Sequence, residues 1–425
     1  MKTRQIKVDL LARVEGEGRL EVSLKDNRIT DLSLHIFEEP RYFEALLEGR
    51  EYHEVPDMTS RICGICPVAY QMSSIHALER IFGLDPGPEV RALRRLIYCG
   101  EWIESHGLHI YLLHAPDFLG YPSGIHLSQA APEVVKAGLQ LKKIGNQIVQ
   151  VVGGREIHMI NLKVGGFYRA PSRAEIKALQ APLEQAVTLA RECLAWVGTF
   201  DIPPLERDYH FVALRHPSEY PMNEGTLTSS KGLSWEPAAF EDHFVESHVA
   251  RSNALHSSYH GESYLVGPLA RYALNYDRLG AEIQDLARQV GLREVCRNPF
   301  ESIKIRAVEL LFACVEALRL VQGYEPPPPV EVKVKPGAAA AITEAPRGLL
   351  YHRYQVSEAG LVEKANIVPP TSQNLRSIEE DLKALIESNL ELDDEPLRLL
   401  CEQAIRNYDP CISCATHFLD LKVQR

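Results

Sequence analysis

The chain has 425 residues, room for about three average domains or one large domain with appendages. Its 46 Lys and Arg against 57 Asp and Glu give a net charge of −11 and a pI near 5.8, which excludes the basic face that phosphate contacts require; no nucleic-acid partner is expected. An apolar content of 45% suffices for a buried core, yet no run approaches the ~18 uncharged apolar residues of a membrane span. The opening MKTRQIKVDLLARVEGEG carries charges at Asp9, Arg13 and Glu15 in place of a signal peptide's apolar run. A cytoplasmic protein with no direct membrane insertion is the expectation.

In chain order, QIKVDLLARV, RLEVSLKD and ITDLSLHIF alternate apolar and polar residues, with turn signals at Gly16, Gly18 and Asp26-Asn27. They predict a small N-terminal sheet. From about Pro40 the pattern changes, and 88–114, 131–151, 173–198, 269–290 and 300–323 repeat apolar residues at three and four, as helices do. Four prolines, Pro326 to Pro329, forbid helix and open an extended stretch. Strands are expected at 348–356 and 359–367, and helical spacing returns over 375–407. The fold class is mainly α with a small N-terminal β-sheet and minor β elements (α+β). Its parts are the sheet (1–40), a helical core (41–325), an extended Pro-rich and irregular region (326–375) and a C-terminal helical segment (376–425), together forming one compact unit.

Nine cysteines are too few, and odd in number, for a disulfide scaffold of this size. Cys99, Cys193, Cys296, Cys314 and Cys401 are scattered and read as plain buried thiols. The other four form two CxxC pairs, Cys63/Cys66 and Cys411/Cys414, 348 residues apart from first Cys to first Cys. Zinc ribbons close loops of ~12–20 residues. A site closed across nearly the whole chain is instead part of a finished fold, where its two ends meet. Four thiolates select a soft or borderline metal, zinc or an iron–sulfur centre on this ground alone. Two separate redox pairs, or core cysteines, fit the spacing as well.

The flanking residues narrow these alternatives. RVEGEG (Arg13–Gly18), PRYFEALLEGRE (Pro40–Glu51), RICGICPVAYQMSS (Arg61–Ser74) and DPCISCATH (Asp409–His417) resemble, in order, the signature segments of the large subunit of nickel–iron hydrogenases. SHGLHIYLLHAPD (105–117), GGREIHMINLKVGG (153–166), EAPRG (344–348) and ANIVPPTSQN (365–374) extend the resemblance over most of the chain. CGICPVAYQ looks most like the soluble, multi-subunit branch linked to pyridine nucleotides.

The resemblance implies a helical bundle around a buried metal site. Nickel would be held by Cys63, Cys66, Cys411 and Cys414, and an iron carrying CO and cyanide would share Cys66 and Cys414. Glu15 would pass protons to and from the Cys411 thiolate, while Glu17 reads as a solvated turn residue. Arg347 would sit over the open face between the metals, paired with Asp117, and Thr371 would hydrogen-bond a cyanide. Glu44, His417 and the backbone oxygen of Ile367 would hold a magnesium ion near the C-terminus. His106, His109, His114 and His158 read mostly as hydrogen-bonded core residues. Two positions depart from the family pattern. Tyr70 stands where a His is frequent, and a phenol does not titrate near neutral pH. FLDLKVQR follows His417, where many family precursors are cut.

The implied activity is H2 ⇌ 2H+ + 2e−. No further cysteine set here holds iron–sulfur clusters, and no Walker or GxGxxG segment binds a nucleotide. The expected partners are therefore a small subunit with iron–sulfur clusters and, beyond it, flavin and NAD(P)H-binding and further iron–sulfur subunits, with NAD+, NADP+ or ferredoxin as acceptor. The rivals are a metal-free relative serving a respiratory complex and a zinc-stabilised structural protein.

Overall fold

The computed structural model describes residues 3–416. His417 and the FLDLKVQR tail lie outside the described residues. Strands β1 (Thr3–Val8), β2 (Gly18–Lys25) and β3 (Arg28–Ile36) form an antiparallel meander, with Val8 opposite Leu20 and Leu20 opposite Leu34. Their alternation buries Ile6, Val8, Leu20, Val22, Leu24, Leu34 and Ile36 on one face. Asp26 and Asn27 both take positive φ (50° and 59°), the two-residue turn whose twist suits a hairpin.

The helical core is built on α1 (Pro67–Phe82), α2 (Pro88–Leu108), α3 (Pro132–Gly153), α4 (Gln180–Gly198) and α5 (Ser302–Gln322). Helix α2 passes directly into a π-helical turn, His109–His114. Helices α2 and α3 meet backbone to backbone, since a Cβ on Gly145 would lie 2.6 Å from the Gly100 carbonyl. Helix α5 is buried on nearly every side from Ser302 to Cys314, the mark of a central helix. The 269–290 segment is two helices, Pro268–Asn275 and Ala281–Gln289, broken before Gly280.

Helix α1 shows no periodic signal because its buried face carries Gln71, Ser73, Ser74, His76 and Glu79 beside its apolar residues. Beyond the Pro-rich stretch, which is coil, β4 (Gly337–Ala345), β5 (Gly348–Val356) and β6 (Val362–Val368) pair antiparallel in sequence order. Helices α6 (Pro370–Glu387) and α7 (Asp394–Arg406) then lead back to the second cysteine pair. One large apolar core runs from Ile6 to Ala415. Among the described residues no helix is long and apolar enough to cross a membrane.

The core encloses charge as well as hydrocarbon. Arg271 is fully buried and donates to Glu309 (2.8 Å) and Glu344 (2.8 Å), and to the carbonyls of Ala345 (2.7 Å) and Pro346 (3.0 Å). Its guanidinium stacks 4.3 Å over Trp102. His106 and Tyr220 complete the ring around Glu309. These bonds hold Glu309 down to about 2 although burial opposes it, whereas Glu344 is pushed up to about 7 by burial. Arg271→Leu leaves two carboxylates buried without their cation, and removing one partner of such a pair costs about 3–5 kcal/mol. The expected outcome is a matching fall in the urea midpoint of the purified protein; an unchanged midpoint contradicts the network's role.

Candidate metal centre

Cys63 and Cys66 sit in the loop between helix Val55–Ser60 and α1, and Cys411 precedes the short helical turn Ile412–Ala415, which contains Cys414. All four are at most 3% exposed. Cys63 Sγ lies 3.6 Å from Cys411 Sγ. The sulfurs of Cys411 and Cys414 are paired, and those of Cys63, Cys411 and Cys414 fall within 4.8 Å of one another. No other group of three such ligand side chains converges among the described residues. The Cys66 thiol bonds the Cys63 sulfur, which also accepts from the amides of Ile65 and Cys66, both at 3.3 Å. Those bonds, with Arg347 nearby, hold the Cys63 thiol below its ordinary range despite burial. In dithiol form three buried soft donors, Cys63, Cys411 and Cys414, converge at one point, and the fourth, Cys66, is bonded to the Cys63 sulfur. That donor set fits a nickel–iron centre, and it excludes two remote redox pairs.

Each surrounding residue has a local reason for its place. Gly16 takes φ +91°, and a Cβ there would lie 2.7 Å from Cβ of Ile412. Only glycine allows the RVEGEG turn to touch the C-terminal loop. Glu15 therefore bridges in parallel to Cys411, its carbonyl accepting from Ile412 N at 2.9 Å. Its Oε2 accepts from the Cys411 thiol and from Ser413 N, both at 3.1 Å. Glu17, by contrast, is exposed. Thr371 Oγ1 accepts from Cys411 N at 3.0 Å, so its hydroxyl proton remains to be donated.

Arg347 is 3% exposed, and its expected partner is corrected. It bonds Asp409, Nε to the carbonyl at 2.7 Å and Nη2 to Oδ1 at 3.2 Å. Asp117 instead takes Arg13 Nη2 (2.5 Å) and both Arg406 Nε and Nη2 (2.8 Å each). Two guanidiniums already saturate Asp117, while Asp409 lies two residues from Cys411 and is delivered with it.

Glu44 and Ile367 are adjacent, with Glu44 Oε1 accepting from Ile367 N at 2.7 Å. Burial pushes the Glu44 carboxyl up to about 7, and burial with Ser372 as donor leaves Glu246 at about 8. Two carboxylates that repel one another in the interior are a hard-oxygen set that suits a divalent cation. The third side chain expected there, His417, lies outside the described residues.

His106 bonds Glu309, His109 bonds the Arg406 carbonyl (2.9 Å) and His158 the Ser60 carbonyl (2.9 Å). His114 departs from this pattern, its two ring nitrogens having no partner. Tyr70 is buried beside Cys63 and Cys66 with its hydroxyl unpartnered, and burial pushes its pKa far up, so it stays a neutral donor.

Sequence reasoning missed three residues. Glu101 accepts from Val68 N (2.6 Å) and Ala69 N (3.1 Å), capping α1 from another helix just after Cys66. The signal was available, because Cys66-Pro67 supplies no capping side chain of its own and the helix start then needs a remote acceptor. Asp409 stood inside a quoted motif. Arg41 donates through Nη2 to the carbonyls of Ile62 (2.7 Å) and Ser413, and its amide donates to Thr416 O at 2.7 Å.

The family profile described as nickel-dependent hydrogenase matches residues 41–138 and 320–417. The alpha subunit of sulfhydrogenase 1 from Pyrococcus furiosus is 32% identical over 428 residues, spanning 98% of this chain and 98% of its own length. The beta subunit of the NAD-reducing hydrogenase HoxS from Cupriavidus necator is 27% identical over 481 residues, spanning 98% of this chain and 95% of its own. A solved structure of an NAD+-reducing NiFe-hydrogenase in the H2-reduced state superposes with a TM-score of 0.86 at 27% identity, over 97% of this chain and 99% of that one.

Among the described residues, Arg41 is the one side chain that bonds the main chain of both cysteine loops. Each charge-assisted bond contributes about 1.5–3 kcal/mol, and loss of both strips the Ile62 carbonyl of its side-chain donor and leaves the Ser413 carbonyl only the longer bond from Thr416 Oγ1 at 3.3 Å. Arg41→Met is expected to raise amide hydrogen exchange at Ile65, Cys66 and Ser413 well above that of α5. Unchanged protection there contradicts the clip.

Proposed function

The chain belongs to the nickel-dependent hydrogenase family as a large, catalytic subunit, and from that premise we propose that it interconverts H2 with protons and electrons, the electrons leaving through a partner iron–sulfur subunit towards NAD(P)+ or ferredoxin. The observation that carries the reading is the convergence of both CxxC pairs on one buried point with Glu15 bonded to Cys411. Cys63, Cys66, Cys411 and Cys414 would hold the nickel and the iron with its CO and cyanide, and that centre would supply the heterolytic cleavage of H2.

The chain's own residues handle the charge. The Cys411 sulfur takes the proton, and its thiol is already aimed at Glu15 Oε2. Glu15 is half-buried beside exposed Glu17, so a proton received there is one residue from solvent. Arg347 stays cationic because Asp409 and the nearby sulfurs of the first cysteine pair outweigh its burial. It offers a free Nη1, and Thr371 Oγ1 offers a proton, as donors towards cyanide. Asp117 acts one step away, fixing Arg13 and Arg406 and through them the approach of the Glu15 segment. Glu44 and the Ile367 backbone would hold a magnesium ion, with His417, which lies outside the described residues, as the third expected ligand.

The five other cysteines are buried and none joins a metal-binding group among the described residues. Electrons therefore leave through clusters of a small subunit and, beyond it, through flavin and NAD(P)H-binding subunits, a reading supported by the similarity to NAD-reducing hydrogenases. We place the complex in the cytoplasm.

Two experiments test this reading. Cys63→Ser replaces a soft thiolate by a hard, poor ligand and is expected to lose nickel and all hydrogen uptake, while Cys193→Ser loses neither. Stoichiometric nickel in Cys63→Ser, or zinc alone in the native protein, sinks the shared site. Glu15→Gln keeps shape and hydrogen bonding but carries no proton. Hydrogen turnover and exchange of deuterium gas with solvent are expected to fall about a hundredfold or more, with nickel and iron retained. Exchange at the native rate would mean that the proton leaves by another route.

A further inference from the structure

Asp381 lies on α6 and is 1% exposed. Its Oδ2 accepts from two phenols, Tyr209 and Tyr408, each at 2.6 Å, and its Oδ1 accepts from Arg207 Nε at 3.0 Å. Burial pushes the carboxyl up to about 6, which leaves it mostly ionised at neutral pH. Burial also pushes both phenols well above their ordinary range, so each stays protonated and donates. Bonds to a charged acceptor are the strong ones.

The two tyrosines differ in what they are tied to. Tyr209 lines an open surface cleft together with Arg207 and Glu380. Tyr408 belongs to the turn that ends α7 and leads through Asp409 and Pro410 to Cys411. Asp409 takes a left-handed φ of 50°. That conformation costs a residue with a side chain energy, and it persists where the surroundings fix it.

Helix α6 fixes it from both sides. Thr371 Oγ1, in the first turn of α6, accepts from Cys411 N at 3.0 Å. Asp381, about three turns further along the same helix, holds the Tyr408 hydroxyl. Ser302 and Arg306 of α5 already hold the Asn407 carbonyl, at 2.9 and 2.8 Å, so the stretch from Tyr408 to Cys411 is the part that rests on α6. Asp409 lies between the two anchors. Its carbonyl accepts from Arg347 Nε at 2.7 Å and its Oδ1 from Nη2 at 3.2 Å. Where Asp409 sits therefore decides where the guanidinium sits.

We propose that Asp381 is a positioning residue for the metal centre, fixing Asp409 through Tyr408 and, through Asp409, the guanidinium of Arg347. The inference rests on the role given above to Arg347 as a donor towards cyanide, and it adds the device that holds that donor in place.

The test uses the purified, metal-loaded complex. Tyr408→Phe keeps the ring and cuts the tie between Asp381 and the loop. Tyr209→Phe removes a bond of the same length to the same oxygen but belongs to neither cysteine loop, so it controls for the simple loss of a buried bond. In Tyr408→Phe, amide hydrogen exchange at Asp409 is expected to rise at least about tenfold, the scale of one bond to a charged group, and the cyanide infrared bands to shift. Tyr209→Phe is expected to do neither. Asp381→Asn is expected to match Tyr408→Phe, and the double variant to add nothing to either, as for two members of one chain of contacts. Native exchange at Asp409 in Tyr408→Phe overturns the proposal, as does an equal effect in Tyr209→Phe. Cyanide bands that stay fixed while exchange rises overturn the link to Arg347. Nickel or cyanide missing from the native complex sinks the hydrogenase reading instead, and the exchange measurement still decides whether Asp381 anchors the loop.

Discussion

The arrangement depends on one closure, in which residues 12–15 are bonded to residues 406–412. Ile412 N donates to the Glu15 carbonyl, and Arg406 Nη1 donates to the Ala12 carbonyl at 3.0 Å. Asp117 locks the junction from a third segment by taking both Arg13 and Arg406. Closing so long a loop has a large entropic cost, although that cost grows only slowly with length. Charge-assisted bonds in a partly buried setting are a strong way to offset it. Without that closure neither cysteine pair has more than two donors, and Glu15 has no thiol to face.

The second requirement is a rigid floor beneath the loops. Helix α1 begins on the residue after Cys66, and its first amides are satisfied by Glu101 of α2 rather than by a local cap. Arg271 performs a similar office on the other side, holding the carbonyls of Ala345 and Pro346 just before Arg347. Glu101 and Arg271 are thus buried charges that hold backbone beside the thiols.

Sequence patterns made the periodic parts legible. The meander and helices α2 to α4 announce themselves because one face is apolar and the other polar, whereas α5 repeats apolar residues at three and four yet is buried almost all round. Helix α1 gives no such signal, because its interior face carries polar residues that are satisfied only in the finished fold. The cysteines and Glu15 were legible because their motifs are local. Asp117 was placed with the wrong arginine for the opposite reason. Which of three guanidiniums meets a carboxylate is decided by packing among segments about one hundred and three hundred residues apart, and no local pattern records that. Arg41 and Glu101 act on backbone groups, which leave no trace in side-chain spacing.

The two outer thiols of the centre are not equivalent, and the difference bears on where a proton goes. Cys63 Sγ accepts from two amides and from the Cys66 thiol, with Arg347 near, and all of these favour the anion. Cys411 Sγ, paired with the Cys414 sulfur, faces the Glu15 carboxylate oxygen at 3.1 Å instead. In the dithiol form that oxygen is the acceptor for the Cys411 thiol. The same oxygen also accepts from Ser413 N, which keeps it pointed at the sulfur. One sulfur is thus surrounded by donors and the other has an acceptor in place. That asymmetry arises from which loop each sulfur belongs to rather than from the cysteines themselves, and the proposed proton route rests on it.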